Sequence, residues 1–247
     1  LFVFKSVGGL RDRIRGLVFS RVLFRSHAKL PNLQIILGID RLDYTKGIPV
    51  RLKAFADALD RYPEMRGKVA LLQVVVPSRR GVGAYEQLKH EIECLVGEIN
   101  GRFTQVGWTP VHYIFRSLTR TELIAYYRTC EIALITPLKD GMNLVAKEYC
   151  ACSIEENGVV ILSEFAGAAA QMYQNAILVN PSDILGTADA IHQAFCMQQD
   201  ERRLRMRRLR RSIRKNDIFR WVNAFLKAGI AKDLNDFPQI DYYIPQE

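Results

Sequence analysis

Short apolar runs recur along most of the chain, each the length of a buried strand and each followed by a polar loop. They are "LQIILGI" (33–39), "VALLQVVV" (69–76), "VHYIF" (111–115), "IALIT" (132–136), "VVILS" (159–163) and "AILVN" (176–180). Continuous runs of this kind, rather than alternating ones, suit strands covered on both faces. Between most of them lie segments of helix length: "PVRLKAFADALDRYP", "AYEQLKHEIECLVGEIN", "RTELIAYYRTC" and "NLVAKEYCACS". In the first, Leu52, Phe55, Ala56 and Leu59 recur at three- and four-residue spacing; Pro49 suits a first helical turn and Pro63 closes it. Strands alternating with helices predict βαβ units and an α/β fold built on a doubly wound parallel, Rossmann-like sheet. After "NPSD" the pattern turns wholly helical to about residue 231, without linker or internal repeat. One domain with helical C-terminal segments is expected.

Residues 1–26 stand outside this rhythm. "LFVFKSVGGLRDRIRGLVFSRVLFRS" shows neither helical nor alternating periodicity, and "VFSRVLFRS" looks like read-through from a sequencing adapter. The segment reads as a non-native or disordered leader to a lobe spanning 27–247. No apolar run approaches the ~20 residues of a membrane span. No signal peptide of the usual charged, apolar, small-residue form precedes the domain, so a cytoplasmic setting is expected. The five cysteines, Cys94, Cys130, Cys150, Cys152 and Cys196, lie in helix-like or strand-like segments without C-x-x-C spacing, and buried free thiols are expected.

A net charge of +9 invites a nucleic-acid reading, but its distribution argues against one. Residues 1–26 carry six cations and one anion, and "ERRLRMRRLRRSIRK" (201–215) carries nine cations and one anion. The remainder is net acidic. The basic run reads as a solvated helix face.

In an open parallel sheet, function belongs at the carboxyl ends of the strands, where helix N-termini also point. The loop "GIDRLDYTKGIP" (38–49) places Arg41 and Lys46 at that edge with Gly47 beside them. Two cations at a helix N-terminus suit a phosphate or diphosphate, and a surface ion pair of Arg41 with Asp40 or Asp43 fits the spacing equally well. In "TPLKDGMNLVAKEYCA" (136–151), Asp140 sits in a loop turned by Gly141. A carboxylate beside the amides of Met142, Asn143 and Leu144 fits a polyhydroxylated ligand, or else Asp140 caps the helix. Glu148, between Val145 and Tyr149, either pairs with Lys147 or another base or reaches a ribose diol. "VVVPSRRGVGAYEQL" adds Ser78, Arg79 and Arg80, as an anion site or a solvated turn. "SEFAGAAAQM" (163–172) adds Glu164 and a small-residue loop. The four loops together describe a cleft for a ligand with phosphates and sugar hydroxyls. The scattered histidines His27, His90, His112 and His192 form no metal-ligand spacing or nucleophilic triad, so neither metal nor cofactor is expected.

"ILGIDRLDYTKGIP", "INGRF", "WTPVHYIFRS", "TPLKDGMNLVAKEY" and "SEFAGAA" closely resemble the alpha,alpha-trehalose-phosphate synthases, retaining glycosyltransferases of the GT-B fold, from about residue 31 to about 230. The resemblance implies two Rossmann-like lobes around a cleft, of which this chain is the carboxyl-terminal, nucleotide-sugar lobe. The implied reaction transfers glucose from UDP-glucose to glucose 6-phosphate, giving alpha,alpha-trehalose 6-phosphate. Carried over by resemblance, Arg41 and Lys46 grip the donor diphosphate, and Asp140, Gly141, Met142 and Asn143 hold the sugar. Leu144 and Val145 lie beside the diphosphate and nucleotide, and Glu148 binds the ribose. Arg79 reaches the acceptor phosphate, and Ser117 and Leu118 meet the uracil. The expected partners are these two substrates and the absent amino-terminal lobe, without which the chain is expected to turn over little or nothing. Homo-oligomerisation is left open. One departure lies at "SRRGVGAY", where Gly81 occupies a position usually acidic in the family.

Overall fold

The computed structural model describes residues 33–78 and 83–230. The leader at 1–26 and the pair Arg79–Arg80 lie outside the described residues. In chain order the elements are β1 (Gln34–Arg41), α1 (Ile48–Arg61), β2 (Val69–Val76), α2 (Gly83–Phe103), β3 (Val111–Phe115), α3 (Arg120–Thr129) and β4 (Ile132–Ile135). There follow α4 (Leu144–Cys152), β5 (Val159–Ser163), the single turn α5 (Ala169–Met172), β6 (Ile177–Val179), α6 (Ile184–Cys196), α7 (Gln199–Lys215) and α8 (Ile218–Ile230). The strands form one sheet in the order β3-β2-β1-β4-β5-β6, and every neighbouring pair is parallel. The Rossmann-like expectation holds.

Alternation along each buried strand divides the interior into two cores. In β1, Ile36 faces one side while Ile35 and Leu37 face the other. The first core receives Leu52 and Phe55 of α1, Ile92 and Ile99 of α2, and Ala188 and Ile191 of α6. The second receives Tyr127 of α3, Ala146 and Tyr149 of α4, and Met206 and Leu209 of α7. Helices therefore cover both faces, which explains why the strands read as unbroken apolar runs.

Three expectations change in detail. The first strand runs two residues past the apolar pattern, pairing Asp40 with Val75 and Arg41 with Val76. Asp40 extends it because its buried carboxylate has a buried cation to meet, so polarity does not end the strand. All five cysteines are free, but Cys94 and Cys196 are exposed on α2 and α6, one helical turn after His90 and His192. The basic helix α7 is a solvated face only in part. Arg202 is buried, its guanidinium donating to the carbonyls of Ala194 (2.7 Å) and Met197 (2.8 Å) at the end of α6. Arg210 donates to Cys150 and Ala151 at 3.1 Å, satisfying the end of α4, where a cation also meets the negative end of the helix dipole.

Candidate functional site

The strand order reverses direction between β1 and β4, the point outside whose carboxyl ends an open parallel sheet presents its crevice. The β1 loop is a 3-10 turn, Tyr44–Lys46, whose N-cap Asp43 accepts from the Thr45 amide (3.0 Å) and hydroxyl (2.8 Å). Burial works against the Asp43 charge, but these two donors, with the Lys46 and Arg41 charges, outweigh it and hold the carboxyl below its ordinary range. Gly47 ends the turn at φ +63°, and a Cβ there would lie 2.6 Å from the Thr136 carbonyl oxygen. Only glycine fits both the left-handed backbone and that approach.

Main-chain bonds join this turn to its neighbours. The Thr45 carbonyl accepts from the amides of Leu138 (2.8 Å) and Lys139 (3.3 Å) in the β4 loop. The β4 loop is joined to the β5 loop in turn: Gly167 N donates to Asp140 O at 2.8 Å, and Asp140 N to Phe165 O at 3.4 Å. A Cβ on Gly167 would fall 2.1 Å from the Gly141 carbonyl oxygen, so the two loops touch backbone to backbone.

Lys46 and Asp140 meet inside this frame. Lys46 Nζ lies 2.7 Å from Asp140 Oδ2, and the two side chains are only 14% and 16% exposed. Asn143 Nδ2 donates to the same oxygen at 3.1 Å. The other oxygen, Oδ1, accepts from the amides of Asn143 (3.2 Å) and, at a longer 3.4 Å, Met142. Burial pushes the Asp140 carboxyl up, but the Lys46 ammonium and the loop donors overcome it, and the group stays below the usual carboxylate range. The capping reading of Asp140 is not realised, since Asn143 is the N-cap; the carboxylate instead braces the loop through Oδ1 and holds the Lys46 ammonium through Oδ2. The Met142 and Asn143 amides do not face open space as expected; the carboxylate occupies them. Asn143, in the left-handed region at φ 58°, is itself the N-cap of α4 and accepts from Ala146 N at 3.0 Å.

Arg41 is placed differently from expectation, as the last residue of β1 rather than within the loop. It is exposed, and its side chain makes no hydrogen bond or ion pair among the described residues. The expected pairs with Asp40 or Asp43 do not form, because Arg51 takes Asp40 and Thr45 takes Asp43. Arg51 is wholly buried beneath the crevice. Its guanidinium meets Asp40 Oδ2 (2.7 Å), Thr136 Oγ1 (3.0 Å) and Gln73 Oε1 (3.3 Å), touching β1, β4's end and β2. Burial dominates Asp40 and raises its pKa even though Arg51 and Lys46 act in the opposite direction.

On α4, Leu144 is exposed and Val145 half-buried; they occupy the first turn, where backbone N–H groups lack intrahelical acceptors. Glu148 does not pair with Lys147. Its Oε2 accepts from the Tyr127 hydroxyl at 2.9 Å. Ser117 and Leu118 follow β3, two strands from the reversal point. The Ser117 carbonyl accepts from Arg116 (3.1 Å), which also pairs with Glu122 (2.7 Å), and Leu118 packs against the second core. Glu122 and Thr119 close a capping box at the start of α3, which fixes the path of this loop. Arg79 lies outside the described residues. Arg51 and Tyr127 were not distinguished by the pattern. Arg51 carries one legible mark, a cation on the apolar face of α1 between Ile48 and Phe55.

Among the described residues no group of histidine, cysteine and carboxylate side chains could hold a metal ion, and no helix is long and apolar enough to cross a membrane.

A sequence model of glycosyltransferase family 20 matches residues 23–229. A trehalose-6-phosphate synthase of Mycobacterium avium is 49% identical over 195 residues, which are 79% of this chain and 39% of that protein. A solved trehalose-6-phosphate enzyme from E. coli, bound with UDP-2-fluoro glucose, superposes with a TM-score of 0.79 at 40% identity, over 83% of this chain and 46% of that one. The UDP-forming alpha,alpha-trehalose-phosphate synthase of Burkholderia xenovorans, in complex with glucose-6-phosphate, gives 0.78 at 39% identity over 83% and 45%. The chain therefore spans less than half the length of each of these relatives.

Proposed function

Because the chain belongs to glycosyltransferase family 20, we propose that it is the donor-binding half of a retaining glucosyltransferase. The reaction moves glucose from UDP-glucose to glucose 6-phosphate and yields alpha,alpha-trehalose 6-phosphate. The observation that carries this reading is the Lys46–Asp140 pair on the loops that leave β1 and β4 at the reversal of strand order, with Arg41, whose side chain has no partner among the described residues, ending β1 and Glu148 on α4. The E. coli relative bound with UDP-2-fluoro glucose and the Burkholderia relative with glucose-6-phosphate support the choice of substrates.

The two charges of the pair answer the two ends of a nucleotide sugar. The donor diphosphate displaces Asp140 at Lys46 Nζ and takes Arg41 as its second cation. Sugar hydroxyls displace Lys46 at Asp140 Oδ2. Gly141, Met142 and Asn143 form the floor under the sugar, while the first amides of α4, at Leu144 and Val145, face the phosphates. Glu148 accepts from the ribose hydroxyls, and the loop of Ser117 and Leu118 meets the base. As the bond from the anomeric carbon to the diphosphate oxygen breaks, negative charge grows on UDP, and Arg41 and Lys46 neutralise it where transition-state stabilisation has most effect. The acceptor oxygen bonds to the anomeric carbon on the face UDP vacates, and its proton passes to the departing diphosphate. An amino-terminal lobe supplies most contacts to glucose 6-phosphate, with Arg79 reaching its phosphate from this side.

Calorimetric titration of the chain with UDP-, GDP- and ADP-glucose tests the reading. UDP-glucose should bind most tightly, and Arg41→Ala and Lys46→Ala should each weaken it by about tenfold or more, as loss of a charge-assisted phosphate contact does. Binding indifferent to both substitutions would refute the assignment.

A further inference from the structure

Tyr127 is buried in the second core, in edge-to-face contact with Tyr149, their ring centroids 6.4 Å apart. Its only polar atom is the hydroxyl, and that atom donates to Glu148 Oε2 at 2.9 Å. Burial, with the carboxylate beside it, pushes the phenol far above its ordinary value, so the group remains a donor at every physiological pH. A carboxylate has two oxygens. With Oε2 held by this bond, Glu148 cannot change rotamer without stranding a buried hydroxyl, which leaves Oε1 as the oxygen available to a ligand. The adjoining Lys147 cannot do this work, since neighbouring helical positions point in different directions.

We propose that Tyr127 is a positioning residue for donor recognition: its hydroxyl orients Glu148 so that the free carboxylate oxygen accepts from the ribose diol of a nucleotide. The proposal rests on the assignment of Glu148 to the ribose. It makes ribose discrimination a property of two helices, α3 and α4, rather than of one acidic side chain. The interaction does not touch the diphosphate or the base, so its loss has a narrow signature.

The experiment compares the binding of UDP and 2′,3′-dideoxy-UDP to the 247-residue chain and its Tyr127→Phe variant by calorimetry. The wild type should favour UDP by about tenfold, the scale of a hydrogen bond to a charged group. Tyr127→Phe should compress that preference below about threefold while binding of the dideoxy analogue stays the same. A purely structural role for Tyr127 weakens both nucleotides in proportion and leaves the preference intact, and that outcome overturns the proposal. A double-mutant cycle adds a second readout: in the Glu148→Ala background, where no acceptor remains, Tyr127→Phe should have no further effect on UDP affinity, and full additivity overturns the coupling. If the wild type itself fails to discriminate, the ribose assignment of Glu148 falls first and takes this proposal with it.

Discussion

Replacing Asp140 by asparagine should make the product nucleotide bind better while the donor gains nothing. At 2.7 Å and an effective dielectric near 20, the charges of Lys46 and Asp140 attract by about 6 kcal/mol. Desolvation of two largely covered side chains cancels most of this, leaving a net pair of about 1.5 kcal/mol. UDP alone must break the pair and leaves Asp140 without its cation, whereas UDP-glucose replaces both partners. With asparagine at 140 the amide oxygen still accepts from the loop, Lys46 is released, and UDP affinity should rise by roughly tenfold. UDP-glucose gains the same freed lysine but loses a charged acceptor for its hydroxyls, worth about 1.5–3 kcal/mol, so its affinity should stay level or fall. Calorimetry with both ligands at one fixed, low ionic strength measures the two changes, since salt screens the partly covered pair. Equal losses for UDP and UDP-glucose, or an unchanged UDP affinity, would refute the exchange of partners at Lys46.

Other expectations concern the frame around the site. Arg51→Met should lower unfolding free energy by about 3–5 kcal/mol in urea titrations, because it strands the buried Asp40 carboxylate, and adding Asp40→Asn should recover part of the loss; a cost under about 1 kcal/mol would contradict the buried pair. Gly167→Ala drives a methyl group into the Gly141 carbonyl, so a fall in melting temperature with loss of UDP-glucose binding is expected; an unchanged pair of values would contradict the close approach. Glu122, held by Arg116 and by the Thr119 amide and hydroxyl, has its pKa lowered to about 2 from 4.5. Its contribution to the capping box is therefore present above pH 4.5 and lost as pH falls toward 2. A carboxyl titration followed by NMR with a midpoint near 4.5 would show that the box does not hold the charge.

The architecture was legible because strands buried on both faces and helices buried on one leave different rhythms. β2, β3 and β5 begin and end where their apolar runs do. β1 does not, since its last two residues are polar and their pairing depends on Arg51, whose contribution is tertiary. The placement of Lys46 and Asp140 at one edge was legible because loops after parallel strands converge there. The pairings of the site side chains were not. Asp40 finds its cation on α1, and Glu148 its donor on α3, contacts set by packing that no local spacing encodes. For Asp140 the local sequence suggested a helix cap, but Asn143 takes that place and Asp140 pairs with Lys46, 94 residues away along the chain. The basic helix shows the same gap: Arg202 and Arg210 look like their neighbours in sequence, yet they close the ends of α6 and α4.

The crevice loops hold one another through their peptide groups, at Thr45 with Leu138 and Lys139 and at Asp140 with Phe165 and Gly167. Such a lattice owes little to the identity of the side chains it displays, apart from the two glycines that permit close approach. Arg41, Lys46, Met142 or Leu144 can accordingly be exchanged without dismantling their platform. Under the proposed donor role, altered preference for sugar or nucleotide is then reachable through single substitutions, each tested by selection on a scaffold that keeps its shape.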